Sequence, residues 1–579
     1  MSGADRLLKG VDPLKNKKVA AILNKIADLL EMDGVDFRTK AYRRAAHTVE
    51  FLSKDIEDVR NERKLEELPG IGKSISKKIE EIVDSGTLEY YENLKKEFPV
   101  DFESLAAVEG LGPKTIKLLY DELGVKNIKD LERAAKRHQI RRLSGMGYKK
   151  EQQILENLKI AGKGRGRMLL GQILPLAEDI KGKLESLDVS DVEIAGSIRR
   201  MQETIGDIDI LVVTDNPKHV MNYFTSMESV DEIIAKGVLK SSLRLKNGVQ
   251  VDLRVFKEGS FGSALLYFTG SKETNITMRK IAIRKGLKLN EYGVYRGEER
   301  VAGKTEEEVF RSLGMQYIEP ELRENRGEVE AASQGKLPEL VGYNEILGDL
   351  QMHTNWSDGN STILEMAQAA EILGYEYIAV TDHTGRLHIA NAMDKNRIVK
   401  QAKEIDGLNQ ELEKITVLKG VEVNIDSRGK LDVGNNVLKD MDIVVAAVHS
   451  GFRQDRKKLT ARILSAMENG YVNIIAHPTG RKIHYRRSYQ LDFERIFEAS
   501  RDTGTVLEVN SQPNRLDLND TNIRMAIDAG CKLVINTDAH SAEQLGHMKL
   551  GVATARRGWA ESKDIINTLP LKKLERSLS

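Results

Sequence analysis

The chain of 579 residues is long enough for about four domains of roughly 150 residues each, and 40% hydrophobic content supplies their cores. A net charge of +1 says nothing as a total, so any binding signal must come from local asymmetry. The single cysteine, Cys531, excludes an intrachain disulfide, and no apolar run approaches the ~18 residues of a membrane span, so a soluble protein of the reducing cytoplasm is expected.

Residues 1–165 read as helical, with Leu, Ile, Lys and Glu at helical spacing. One pattern recurs there: Leu68-Pro-Gly-Ile-Gly72, Val108-Glu-Gly-Leu-Gly112 and Leu143-Ser-Gly-Met-Gly147, each followed by a lysine-bearing helical stretch. Apolar-x-Gly-apolar-Gly between helices is the helix-hairpin-helix turn, whose glycines let the backbone approach a phosphate at the next helix's N-terminus. Three copies point to a nucleic acid, with Gly70, Gly72, Gly110, Gly112, Gly145 and Gly147 as backbone DNA contacts. From Arg133 to Arg167 the charge is sharply basic, as a surface that follows a phosphate backbone would be. Gly162 to Arg167 reads as a hinge.

Residues 168–258 alternate helix and strand. Ala195 to Asp209 holds a turn (Gly196, Ser197), two arginines (Arg199, Arg200) and two carboxylates one residue apart (Asp207, Asp209). Ile208 to Val213 has strand composition, so Asp207 and Asp209 project from one face while Ile208 and Ile210 pack behind. Like charges that close repel unless cations sit between them, which suggests divalent ions of the Mg²⁺ type and a polyphosphate substrate. Asp252, flanked by apolar residues in Val249 to Phe256, would share those ions.

The chain continues with Leu266-Tyr-Phe-Thr-Gly-Ser271, Asn275, Arg279 and Leu289-Asn-Glu-Tyr-Gly-Val294. The Gly-Ser-x-Arg-Arg turn, the Gly-Asp-x-Asp strand, the third Asp, Tyr-Phe-Thr-Gly-Ser and Asn-Glu-Tyr, in this order after the hairpins, resemble a family X DNA polymerase over roughly residues 15–320. The resemblance implies that Gly196, Ser197, Arg200 and Gly270 bind the incoming deoxynucleoside triphosphate, with Tyr267 and Phe268 against its sugar and Asn275 at the nascent pair. It further implies that Arg254 and Arg279 contact DNA. Asp207, Asp209 and Asp252 would be catalytic and hold Mg²⁺ or Mn²⁺. The first hairpin matches the family's 5′-deoxyribose-phosphate lyase segment, with Lys78 at the Schiff-base position. A lysine attacks an aldehyde only when deprotonated, and a neighbouring cation such as Lys77 would lower its pKa.

Residues 321–340 are charged and lack apolar periodicity, which predicts a linker. Beyond it lie eight of the eleven histidines, in short motifs at the ends of apolar strands that alternate with helical stretches. That alternation predicts a parallel barrel, where polar residues at strand ends read as catalytic. The segments Asp349 to His353, Ser357-Asp-Gly359, Ile378 to His383, Lys419 to Asn424, Val444 to His449, Asn473 to Pro478 and Leu533 to His540 resemble the polymerase and histidinol phosphatase (PHP) domain. The resemblance implies His353, Asp358, His383, Glu422, His449, His477, Asp538 and His540 as ligands of two or three Mn²⁺, Zn²⁺ or Fe²⁺ ions. The family's motif opens His-x-His, whereas this chain has Gln351-Met-His353.

The expected architecture is multidomain. An N-terminal helical domain (1–85) and helical fingers (86–165) carry the hairpins, followed by an α+β nucleotidyltransferase palm (166–258), a thumb (259–320), the linker and a distorted (β/α) barrel (341–579). The expected function is a repair polymerase that fills gaps in 5′-phosphorylated DNA, as a monomer without membrane contact. A 3′-to-5′ exonuclease, abasic-site cleavage and a lyase would accompany it. Two other readings are a DNA end-binding protein with an inactive barrel, and an untemplated nucleotidyltransferase fused to a phosphoesterase.

Overall fold

The computed structural model describes residues 13–34, 36–50, 56–106, 108, 111–152, 154, 155, 158, 167–385 and 390–578. Gly110 and the expected hinge at 162–166 lie outside them.

The N-terminal region is helical as its periodicity predicts. The helix Pro13–Met32 packs against Asp36–Glu50, and also against Glu89–Glu97 and Pro113–Leu123. One apolar cluster runs from Val19 to Leu158, so residues on both sides of position 85 share a core. The three hairpin turns repeat one bonding scheme. The amides of Ile71, Leu111 and Met146 donate to the carbonyls of Leu68, Val108 and Leu143 at 3.0–3.1 Å. Gly70 and Gly145 have φ of +80° and +74°, a region open to glycine at little cost. Gly72 and Gly112 cap the helices Lys73–Ser85 and Pro113–Leu123.

The palm is a five-stranded mixed sheet in the order Asp191–Ile194, Asp207–Val213, Gln250–Phe256, Lys240–Leu245, Val230–Lys236. Asp207–Val213 and Gln250–Phe256 run parallel in the centre. Ile208 and Ile210 are fully buried while Asp207 is exposed, the alternation expected of a strand with one wet face at its start. Two helices, Phe261–Thr269 and Lys272–Arg284, lead into a three-stranded antiparallel sheet and the helix Glu306–Ser312.

The stretch expected to be a linker is folded. Residues Pro320–Leu322 and Glu328–Gln334 are helical, and Leu322, Val329 and Ala332 join the apolar cluster of residues 266–332. Its buried charges conceal this in sequence: Glu321 pairs with Arg556 at 2.7 Å, and Arg323 pairs with Glu306. A charged residue can be buried once it is paired, but the partner cannot be read from a local window.

The C-terminal region is a seven-stranded all-parallel sheet in sequential order, from Gly348–Met352 to Leu533–Asn536. A bridge between Met352 and Ala539, with Asp538 N donating to Gln351 O at 3.0 Å, brings the first and last strands together into a nearly closed barrel. The barrel also packs on the palm. Leu516 and Leu550 complete the palm's apolar cluster, and Arg481 pairs with Glu203 at 2.7 Å.

Candidate active site and metal centre

The palm carboxylates meet across the two parallel strands. Asp209 stands in register with Asp252, and Asp207 begins the same strand as Asp209. Burial, reinforced by the charges of Asp207 and Asp252, pushes Asp209 up to about 7. Asp252 accepts from Gln250 Nε2 at 3.0 Å and lies 3.6 Å from Arg254 and 3.8 Å from Lys240. Three carboxylates gathered at the ends of two paired strands are a donor set suited to divalent cations. Gly196 touches this group directly. Its φ is +63°, and a Cβ there would stand 2.5 Å from Asp209 Oδ2.

Asp207 and Asp209, but not Asp252, open into a cleft of about 590 Å³ that Gly196, Ser197, Arg200, Tyr267, Phe268, Gly270, Asn275 and Arg279 also line. The Tyr267 and Phe268 rings meet edge to face at 5.0 Å. Asn275 Nδ2 donates to Tyr267 O at 2.7 Å, and Arg279 Nε donates to Asn275 O at 3.3 Å. The two adjacent arginines separate. Arg199 is turned to Thr269 and Glu306 at 2.7–2.9 Å, while Arg200 faces the cleft. Arg254 lies with its guanidinium 4.5 Å from the Phe268 ring.

At the hairpins, Lys78 Nζ donates to Ser74 Oγ at 3.1 Å and sits 5.1 Å above the Tyr90 ring. Burial pulls its pKa down, and the cation that adds to this is Arg38, on the helix Asp36–Glu50, in place of the expected Lys77.

In the barrel, strand ends separated by up to 187 residues converge. Glu422 lies at the centre: its carboxylate is 3.0 Å from His383, 3.3 Å from His449, and 3.4 Å from both His353 and His477. His353 is 3.1 Å from Asp538, and Asp358 is 3.7 Å from both His383 and His540. Potential ligand atoms gather into two groups, His353–Asp358–His383–His540 and His383–Glu422–His449, each within 4.8 Å. Both Glu422 oxygens, both His353 nitrogens and Nδ1 of His449 and of His477 are buried without a hydrogen-bond partner. Orphaned donors of this kind are costly unless they bind something, and mixed imidazole and carboxylate donors fit Mn²⁺, Zn²⁺ or Fe²⁺. Burial opposes charge on Glu422, yet the His383 and His449 charges hold it well below the usual carboxylate range. Burial and the Arg515 charge bring His477 down to about 4, which keeps it neutral and able to ligate.

Gln351 is fully buried, and neither its Oε1 nor its Nε2 has a partner. Its amide thus joins the unsatisfied set at the position where the PHP motif has histidine, and a carbonyl oxygen is a weaker, neutral donor.

Protein-family models match four stretches of the chain. A helix-hairpin-helix domain matches residues 14–88 and a SAM-like helix-hairpin-helix tandem residues 102–159. The DNA polymerase beta thumb matches residues 264–324, and the PHP domain residues 349–512. The DNA polymerase/3′-5′ exonuclease PolX of Bacillus subtilis (strain 168) is 39% identical over 568 residues, 97% of this chain and 99% of that protein. The chain belongs to the family X DNA polymerases that carry a PHP domain. DNA polymerase lambda of Rattus norvegicus is 25% identical over 342 residues, 53% of this chain and 56% of that protein. A probable phosphatase of Thermoanaerobacter sp. (strain X514) is 30% identical over 232 residues, 38% of this chain and 90% of the relative.

Four residues of this family X polymerase escape sequence reasoning. Gln202 and Lys272 line the cleft. In the barrel, Arg515 Nε lies 3.7 Å from Asp538, and burial together with Arg515 and Arg486 brings Lys482 down to about 8. Gln202 lies inside the Ala195–Asp209 stretch and Lys272 just after Ser271, but neither is a motif position; Arg515 and Lys482 are cations within reach of a carboxylate only in the fold. Among the described residues no helix is long and apolar enough to cross a membrane.

Proposed function

We propose that this chain is a repair polymerase that fills gaps in DNA, and that its PHP barrel is a metal-dependent 3′-to-5′ exonuclease, with both sites working in the cytoplasm on a monomer. The observation that carries the first part is the Asp209–Asp252 register beside a cleft lined by Arg200, Tyr267 and Asn275. Asp207, Asp209 and Asp252 would hold Mg²⁺ or Mn²⁺, which neutralise the triphosphate and activate the primer hydroxyl for in-line attack. Ser197 and Arg200 bind the triphosphate, with Lys272 adding positive charge to the same cleft. The Tyr267–Phe268 pair lies against the sugar, where its bulk opposes a 2′-hydroxyl, and Asn275 and Arg279 read the pair and the template strand. The hairpin glycines present backbone amides to DNA phosphates, which gives the polymerase its polymer substrate.

In the barrel, His353, Asp358, His383, Glu422, His449, His477, Asp538 and His540 would hold two or three ions, which supply a water nucleophile and clamp the phosphodiester. Arg515 and Lys482 place positive charge beside Asp538, where a phosphate would lie. The same chemistry extends to the backbone at an abasic site. At the first hairpin, Lys78 is the candidate Schiff-base nucleophile of a lyase.

Two separate losses test this reading. Asp252→Ala should abolish filling of a 5′-phosphorylated single-nucleotide gap and leave Mn²⁺-dependent release of nucleotides from a labelled primer. His540→Ala should do the reverse. Addition that ignores the template would favour the untemplated reading, and undiminished release from His540→Ala would refute the barrel as its source.

A further inference from the structure

The inner face of the triphosphate cleft is tied to the barrel by one cluster of charges. Arg200 Nε donates to Glu324 Oε1 at 2.9 Å, and its Nη1 donates to Thr269 O. That Glu324 oxygen also accepts from Gln202 Nε2 and, at 3.2 Å, from Arg557 Nη1. Arg557 lies at the end of the barrel helix Met548–Arg557, 357 residues along the chain from Arg200. Its Nη1 donates to the backbone carbonyl of Arg200 at 2.8 Å, and its Nη2 donates to Asp520 at 2.7 Å. Arg557 is 5% exposed in its side chain, against 14% for each of Arg200, Glu324 and Asp520.

A buried guanidinium is held in place by its acceptors, and Arg557 has three of them, one each from the palm, the thumb segment and the barrel. Two of the three act on Arg200. One fixes the backbone of the turn from which Arg200 springs; the other is the carboxylate that orients the Arg200 side chain. Arg557 also shares the Glu324 charge. With Arg557 absent, that charge would fall on Arg200 and Gln202 alone, and a triphosphate would have to compete with it for the guanidinium. Among the described residues Arg200 Nη2 donates to no protein group, which leaves it for the cleft.

We infer that Arg557, a residue of the PHP barrel, is a positioning residue for nucleotide binding in the polymerase cleft, so that the polymerase site is complete only with the barrel docked. The inference rests on Arg200 as the triphosphate ligand. Arg557 neither lines the cleft nor belongs to the candidate metal-ligand groups, and acts through Arg200 and Glu324.

The test is steady-state gap filling by the full-length protein, with dNTP KM and kcat measured separately. Arg557→Met should raise the dNTP KM about tenfold, the scale of one charge-assisted hydrogen bond, and leave kcat within about twofold. Arg557→Lys keeps the charge but loses the fork, and should raise KM about threefold. Exonuclease release by both variants should match the wild type, which verifies that the barrel is folded. In an Arg200→Ala background, which by itself should raise KM, Arg557→Met should add less than about twofold, since the two act as one unit. An unchanged KM in folded Arg557→Met would overturn the inference. If Arg557→Met loses exonuclease activity, an unchanged KM in Arg557→Lys would overturn it instead. A full additional rise in the Arg200→Ala background would also overturn it, by showing that Arg557 acts elsewhere. An Arg200→Ala variant with unchanged KM would instead refute the triphosphate assignment itself.

Discussion

Gly196→Ala perturbs the polymerase centre by a single methyl group whose two effects can be separated. The residue has φ of +63°, where an L side chain costs about 1–2 kcal/mol. The new Cβ would also stand 2.5 Å from Asp209 Oδ2, so the carboxylate or the turn must move by roughly an ångström. Displacing a reacting group that far costs about a hundredfold in rate. Gly248 is the control. It has φ of +86° with nothing within 4 Å of a Cβ, so Gly248→Ala carries the backbone cost without the collision. Both variants should lose about 1–2 kcal/mol of stability in urea. Only Gly196→Ala should lose gap-filling kcat/KM by about a hundredfold at saturating Mg²⁺. If Gly196→Ala retained activity within about threefold of Gly248→Ala, the contact with Asp209 would have no catalytic weight, and the reasoning from close approach would fail.

Asp209 also predicts a pH dependence. With its pKa near 7, protons compete with Mg²⁺, so apparent Mg²⁺ affinity in a nucleotide-binding titration should be about tenfold weaker at pH 6 than at pH 8. Without metal, the folded state binds the extra proton between the ordinary 3.8 and about 7, so stability should fall as pH rises through that window. Asp209→Asn should remove this part of the slope in thermal melts, and an unaltered slope would count against the shifted carboxyl. At the first hairpin, borohydride should trap the wild-type chain on incised abasic DNA, and Lys78→Ala should lose the adduct; equal trapping would exclude Lys78. Arg38→Ala should move the pH at which trapping is half-maximal upward, because one of the influences that lower the Lys78 pKa is gone.

Much of the site is legible in the sequence because metal and phosphate chemistry restricts which residue types will serve. The Asp207–Asp209 pair needs only a strand to project together, and strand composition is local. The hairpin turns need glycine where φ is positive, and the same spacing recurs three times. Most of the eight candidate barrel ligands stand at or just beyond the ends of apolar strands, and a parallel barrel brings such ends to one side. Residues whose role depends on a distant partner are less visible. Arg199 and Arg200 are alike in sequence, yet Glu306 draws one away from the cleft while Glu324 holds the other in it. The 321–340 segment reads as solvated because its charges find their partners elsewhere, at Arg556 and Glu306.

By itself, the sequence determined the two chemistries, the order of the domains and the candidate ligands, because each follows from residue type at short spacing. Tertiary structure alone decided how those pieces act on one another. It seated Arg38 and Tyr90 near Lys78, closed the histidine and carboxylate cluster around Glu422, and set Arg557 of the barrel behind Arg200 of the palm. The physical reason is that buried charge is tolerated only when it is paired, and a pair such as Arg557 with Glu324, 233 residues apart, has no local signature.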